Sequence, residues 1–508
     1  MTDPALFLRP AAALAAALAL AGCSLTPTYQ RPALAVPSAL PSVAGAAPVS
    51  SAPATPVADV PWQRYFPDAR LQQLIGLSLE NNRDLRVAAL NIEALRAAYA
   101  IADADRFPSL NGVANAARQR ATSRPFAYGN SVQAGVSLSA FELDLFGRVK
   151  ALSEAAGAQL MASESARQAT HISLVASVAS TWYTLWADRW QLALAEQTLS
   201  TREASLKLQQ LKFDAGVLNE LDLRTAQSLV EAARVTRAQA QRQWAQDLSA
   251  LEVLLGRSVP ADLLPGPVDA AALAPQGMAQ AEALAQVVSR PLWPELTELP
   301  VGLSSDVLLR RPDIMQAEQN LVAANANIGA ARAARFPRIS LTATLGLAST
   351  SLAGLVNDGL VGASVAPSLT VPLLDWGRTA AGVDSAVARR DIALAQYDRT
   401  VQSAFKDVAD ALVARQTWSE QAQAQRAQTE AEAARLRLST LRYESGVANQ
   451  LDLLDAQRAL FSAQQGLIAA QLARQQAHIA VYRALGGGWA TTAVDTAQAR
   501  SAPAVPAR

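Results

Sequence analysis

From Gly147 to Phe213 the chain contains no proline, and Val178, Leu185, Leu192, Leu199, Leu206 and Phe213 recur at every seventh position. Ala, Leu, Gln, Glu and Arg, the strong helix formers, fill the positions between them. The pattern predicts one coiled-coil helix over about 148–212. At ~1.5 Å per residue such a helix is roughly 100 Å long. A rod of that length cannot fold back into an ordinary globular core, so it must lie against other long helices.

The chain supplies them by repeating itself. Phe107-Pro108 recurs as Phe336-Pro337, and Gly147-Arg148 as Gly377-Arg378. Phe213, Gly216, Leu221-Asp222 and Ala226-Gln227 recur as Tyr443, Gly446, Leu451-Asp452 and Ala456-Gln457, and Leu255-Gly256 as Leu485-Gly486. The offset stays at about 229–231 residues, and keeping order and spacing together implies duplication. Each copy reads as helix, two strands, long helix, helix. The first helices cover about 68–105 and 312–335 and stop before Phe-Pro, as proline requires of its predecessor. The first repeat spans 62–256, with strands at about 109–143 and long helices at about 148–255. The second spans 306–488, with strands at about 338–374 and long helices at about 378–485. Residues 257–305, rich in proline, read as a linker, and 489–508 as a flexible tail.

The strand pairs alternate. Ile339, Leu341, Ala343, Leu345 and Leu347 interleave with Ser340, Thr342, Thr344 and Gly346, and Val365, Pro367, Leu369, Val371 and Leu373 with Ala366, Ser368, Thr370 and Pro372. In the first copy Val132, Ala134, Val136, Leu138 and Ala140 interleave with Ser131, Gln133, Gly135, Ser137 and Ser139, while 110–119 carries a weaker apolar face. Period two over about 9–11 residues fits a tilted membrane strand. The polar positions are small and almost uncharged, as suits a water-filled lumen. Lipid tolerates no open sheet edge, and four strands are too few to close a barrel. The barrel must therefore be shared, and three subunits would give twelve strands. A soluble four-stranded sheet capping a helical bundle is the plainer alternative.

Composition narrows the chemistry. Two histidines and one cysteine speak against a His-based triad, a Cys/His zinc site and a disulfide framework, although a carboxylate-only enzyme stays open. Net charge of +1 implies no polyanion partner, nucleic acid included. Residues 1–22 read as a signal peptide. Leu20-Ala21-Gly22-Cys23 resembles a lipoprotein cleavage box, which would make Cys23 the lipid-modified N-terminus, and Ser24 resembles an outer-membrane sorting signal. Residues 23–61 then form a lipidated, Pro/Ala-rich tether with little regular structure.

Several motifs carry a wider resemblance: Leu309-Arg310-Arg311-Pro312-Asp313-Ile314, Ala334-Arg335-Phe336-Pro337, Leu374-Asp375-Trp376-Gly377-Arg378, Tyr443-Glu444-Ser445-Gly446, Leu453-Leu454-Asp455-Ala456-Gln457 and Leu485-Gly486-Gly487-Gly488-Trp489. Over about 60–488 the chain resembles the TolC-type outer-membrane efflux family, specifically the NodT/OprM-like lipoproteins of tripartite efflux systems. The resemblance implies an α+β membrane protein and a homotrimer. Its twelve-stranded outer-membrane β-barrel is continued by a twelve-helix coiled-coil periplasmic α-barrel. It implies a passive exit duct without cofactors, served by a periplasmic adaptor and an inner-membrane pump and surrounded by outer-membrane lipid. A duct for type I protein secretion and a pore-less lipid-anchored coiled-coil protein are the alternatives.

The same resemblance implies a gate at the periplasmic tip, with turns at Gly216 and Gly446. Asp455 matches the family's gate aspartate, and Leu451 an apolar gate residue of the lipoprotein branch. Tyr443, Asp452 and Asp222 match latch positions of the better-known branch, and Phe213 is the first-copy counterpart of Tyr443. The latch arginine of that branch falls at Ala448, so an aspartate-plus-leucine constriction is expected in place of a salt-bridge latch. First-turn Asp222 and Asp452 also suit helix capping, and Phe213 and Tyr443 also suit the end of a heptad seam. The stripe Trp182, Trp186, Trp190 reads as packing, and Arg310-Arg311-Pro312-Asp313 as a structural helix start.

Overall fold

Long runs of helix formers become long helices, and their ends are set by identifiable residues. A computed structural model of the chain describes residues 24–38, 61–120, 122, 128–266, 268, 292–293, 296, 305–357 and 359–487. The expected signal peptide 1–22, the lipidation site Cys23, parts of the 23–61 tether and most of the 257–305 linker lie outside the described residues, as does the tail 489–508. The elements run α1 Trp62–Tyr65, α2 Ala69–Asn81, α3 Arg83–Ala104, β1 Leu110–Arg120, β2 Tyr128–Leu143, α4 Arg148–Asp214 and α5 Glu220–Leu255. After two short 3-10 turns come α6 Pro312–Ala333, β3 Arg338–Ser349, α7 Leu352–Asn357, β4 Leu360–Thr370, α8 Arg378–Glu444 and α9 Gln450–Ala484.

Two element bounds need correction. The helix foreseen over 68–105 is interrupted: Asn82 takes an extended ψ of 132°, its side chain accepts from Leu85 N, and its amide donates to Leu254 O. An asparagine that satisfies backbone groups at a helix junction ends one helix and starts the next. The last strand, foreseen as reaching 374, ends at Thr370 and begins earlier, at Leu360.

The chain forms two compact units. The first takes the described residues within Met1–Leu34, Ala89–Ala166 and Asp313–Thr400; the second takes those within Ala35–Ala88, Arg167–Pro312 and Val401–Arg508.

In the first unit the four strands make one antiparallel sheet in the order β1-β2-β3-β4. The register sorts side chains into rows. Leu110, Leu138, Ala343 and Val365 align across the sheet, and so do Gly112, Val136, Leu345 and Ala363. On the opposite face Asn111, Ser137, Thr344 and Ser364 align, and the hydroxyls of Thr344 and Ser364 meet at 2.7 Å. The alternation foreseen through Ala140 breaks there: Ala140 has φ +47°, and the register shifts between Leu138 and Phe141. This bulge puts one extra residue into β2 and returns Phe141 to the apolar face. Gly135 and Gly346 face each other, and a Cβ on either would run into the carbonyl of the opposing strand. The strands approach closely there because neither residue has a side chain.

Alanines set the helix spacing in this unit, with Ala155 and Ala158 of α4 packed on Ala323 and Ala326 of α6. The described start of the tether has no helix or strand, as expected, and lies on α6. Asn325 donates to Pro27 O at 2.7 Å, Thr26 covers Gly329, Tyr29 donates to Glu318, and Arg31 grips Glu318 with two nitrogens at 2.7 and 2.8 Å.

In the second unit the heptad seam is buried at Val178, Leu185 and Leu199, the last packed against Val230 and Ala233 of α5. Leu436 of α8 packs on Ala456 and Leu460 of α9. Trp182 and Trp190 are buried, as packing requires, and Tyr65 stacks on Tyr482 at 4.5 Å. Arg311 is buried and donates to the last carbonyl of α9, Ala484 O, at 2.6 Å, which makes it a structural helix-end cap.

Asp188 of α4 is buried in this unit. Desolvation, followed by the neighbouring carboxyl of Asp247, pushes its pKa up to about 7. The folded state therefore holds a proton between about pH 4 and 7 that the unfolded chain releases, and stability contributed by this site falls as pH rises through that window. The purified protein is expected to melt at a lower temperature at pH 8 than at pH 5. Asp188→Asn is expected to flatten that slope, and an unaltered slope in the variant would refute the assignment.

Candidate functional site

At one end of the second unit two helix pairs turn. α4 ends with Gly216 at φ +72°, where Gly216 N donates to Phe213 O and Val217 N to Lys212 O. α8 ends in the same way with Gly446 at φ +74°, Gly446 N on Tyr443 O and Val447 N on Arg442 O. Both foreseen turn glycines hold left-handed backbone that a side chain would strain.

The next helices start alike. Asn219 accepts from Asp222 N at 2.9 Å, and Asn449 accepts from Asp452 N at 2.9 Å. The caps are therefore the asparagines. Asp222 and Asp452 are third residues of their helices, where a carboxylate favours the dipole, and Asp222 also accepts from the Asn219 amide. Sequence reasoning passed over both asparagines, although each stands three residues before its aspartate in matching positions of the two repeats.

Tyr443 and Phe213 are half-buried, and the Lys212 ammonium lies 5.9 Å from the Tyr443 ring. Leu451 is 63% exposed and its counterpart Leu221 75%; Val217 and Val447 beside the turns are also exposed. Asp455 is exposed and carries a partner that the sequence did not announce. Arg435 of α8 donates to it at 2.6 Å and also to Glu432 at 3.2 Å, while Arg458 stands 3.8 Å away. The pair joins α8 to α9 within one chain. A surface Arg–Asp contact across a hairpin leaves no periodic trace, so pattern reading could not find it.

The strand–helix junction of the first unit holds a second charged cluster. Glu142 at the end of β2 accepts two nitrogens of Arg148 at 2.8 and 2.7 Å and two of Arg338 at 3.0 and 2.5 Å. Asp144 accepts from Arg148 N and Lys150 N, and Asp375 accepts from Gly377 N and Thr379 N, so the two long helices begin with equivalent caps. Among the described residues no helix is long and apolar enough to cross a membrane.

The chain matches the family described as outer membrane efflux protein twice, over residues 74–257 and 303–487. It is 44% identical over 479 residues to a probable efflux pump outer membrane protein, TtgC, of Pseudomonas putida, covering 93% of this chain and 94% of that protein. It is 42% identical over 483 residues to the outer membrane protein OprJ of Pseudomonas aeruginosa, covering 94% and 95%. Among solved structures, the open state of the Neisseria gonorrhoeae MtrE outer membrane channel superposes with a TM-score of 0.79 at 37% identity, covering 92% of this chain and 100% of that one. The chain shares the fold of these channels.

Removing either cap tests the local reading at the tip. Asn219→Ala and Asn449→Ala are each expected to cost about 1 kcal/mol of local helix stability. Amide exchange in the first turns of α5 and α9 should then speed up roughly fivefold. Exchange at the wild-type rate would show that the caps do no such work.

Proposed function

The chain belongs to the outer membrane efflux protein family, and from that premise we propose that it is the exit duct of a tripartite efflux pump. It conducts small molecules passively from a periplasmic adaptor and inner-membrane pump to the exterior. The observation that carries the reading is the two-faced sheet. One face presents exposed Leu110, Val136, Leu345, Val361, Val365 and Leu369, while the other presents rows of Ser, Thr, Asn and Gly. An apolar face left open to water over four strands is costly, and it suits lipid.

β1 and β4 pair on one side only among the described residues. In lipid those edges must be closed. Two copies would give eight strands, whose interior side chains fill. Three give twelve and leave a lumen lined by the Ser/Thr/Gly face. Each unit draws on four long helix segments, α3, α4, α6 and α8 in the first and α4, α5, α8 and α9 in the second. Three copies therefore supply twelve helices to a periplasmic tunnel. Cys23, once acylated, adds a lipid anchor to each protomer. The task needs no covalent chemistry and no cofactor, because the duct only keeps solute away from lipid.

The tip carries the gate. Three copies of Asp455 and Leu451 make a carboxylate-and-leucine constriction that admits cations more readily than anions. Asp452, Asp222, Tyr443 and Phe213 hold the hairpin ends in place around it, with the turns at Gly216 and Gly446. Arg435 restrains Asp455 from within its own protomer.

Planar-bilayer recordings of the purified protein test both levels. Wild type is expected to form small, cation-preferring channels. Asp455→Ala and Leu451→Ala are expected to raise single-channel conductance and to increase antibiotic leakage into cells. Channels with unaltered conductance in both variants would remove these residues from the gate. A complete lack of channel activity, with a detergent-free monomer, would remove the duct.

A further inference from the structure

Among the described residues, Arg202 is a buried cation without a carboxylate partner. It is 7% exposed, lies on α4 in the second unit, and among the described residues its one hydrogen bond goes to the amide oxygen of Gln457 at 2.6 Å. A guanidinium has five N–H groups, so most of its donors are left to the half-open cavity it lines. That cavity has a volume of about 70 Å³ and lies between α4, α8 and α9. Gln464 lines the same cavity, is 3% exposed, and has a buried amide nitrogen with no hydrogen-bond partner.

The remaining polar groups do not complete the set. The hydroxyls of Thr198 and Thr201 spend their protons on Leu194 O and Gln197 O, so they offer no donor to the cavity. The rest of the wall is the Gln197 side chain, which is engaged elsewhere, with Leu194, Leu436, Leu460 and Phe461. Burial lowers the pKa of Arg202, and Arg458 nearby lowers it further, which marks an environment poor in negative charge. A buried charge is normally paired or hydrogen-bonded throughout, and a lone amide oxygen does neither.

We propose that this cavity is a binding site for one small monovalent anion of halide size, held by the Arg202 guanidinium and the Gln464 amide. An anion there supplies the missing charge and accepts from both donors, and the volume suits a halide with accompanying water. Holding α4 against α9, the ion would stiffen the helix pairs above their turns. The proposal is independent of whether the protein conducts.

Bromide tests it directly. Crystals of the full protein soaked in bromide, with data collected at the bromine edge, are expected to show an anomalous peak between Arg202 and Gln464. Ordered water without anomalous signal, or a carboxylate of a neighbouring copy in that place, would overturn the proposal. In detergent, the intact protein is expected to melt higher in sodium bromide than in sodium gluconate at equal ionic strength, since gluconate is too large for the cavity. Arg202→Met is expected to abolish that difference. Gln464→Leu, which keeps the arginine, is expected to reduce it. A bromide effect undiminished in both variants would place the halide elsewhere and refute the site.

Discussion

A backbone N–H or C=O removed from water must find a partner, and most of the specific side chains in this chain answer that demand. Helix interiors satisfy themselves, so the demand concentrates at the ends. Asn219, Asn449, Asp144 and Asp375 serve helix starts. Gly216 and Gly446 let the chain turn back on its own carbonyls, and Arg311 reaches the last carbonyl of α9. Asn82 serves three helices at once, because it ends α2, starts α3 and donates to a terminal carbonyl of α5. The sheet poses the same problem without an internal answer. Among the described residues its two outer strands each keep a row of open backbone groups, and in the proposed duct further copies of the chain would fill that deficit.

What could be read in the sequence is what repeats. Seven-residue spacing gave long helices, and period two gave a sheet with an apolar and a polar face. A shift of about 230 residues gave the duplication, which reappears in the paired caps and turns of the two halves. What escaped is what happens once. Asn82 breaks a helix through its own side chain, in a stretch whose apolar pattern continues past it. Ala140 shifts the register by a single residue, and strict alternation hides such a bulge until Phe141 is seen back on the apolar face. Arg435 with Asp455, Arg31 with Glu318, and Glu142 with Arg148 and Arg338 are pairings of residues that no period links. Their partners are chosen by the fold, and any exposed Arg or Glu looks equally plausible beforehand.

Charge is distributed to match these roles. The polar rows of the sheet hold Ser, Thr, Asn, Gln and Gly, and charge enters that face at its helix-proximal end, in Glu142 and Arg338. There it is neutralised in a fork between two arginines, which ties the end of β2 to the start of β3 and to the first turn of α4. The N-terminal arm follows the same rule. Polar clamps at Asn325 and Glu318 fix it to α6, and Ser24 comes to lie beside Gly147, at the strand–helix turn. A lipid attached one residue earlier would thus start from the level where strand gives way to helix, which is where a membrane surface belongs in the proposed duct.

The Arg435–Asp455 pair bears on how such a duct could open. Both residues belong to one α8–α9 hairpin, so the contact resists separation of those two helices and not separation of one protomer from the next. Widening an aperture between copies can therefore leave it intact, with each hairpin moving as one body about its turn at Gly446. The buried contacts of Leu436 with Ala456 and Leu460 keep the hairpin packed during such a motion. In the proposed duct the barrier to opening would then reside in whatever joins neighbouring copies at the tip, where Leu451, Leu221, Val217 and Val447 are exposed and would supply apolar surface. If the proposed adaptor offered a replacement surface, breaking apolar contacts between copies would cost less, and docking and opening would share one free energy.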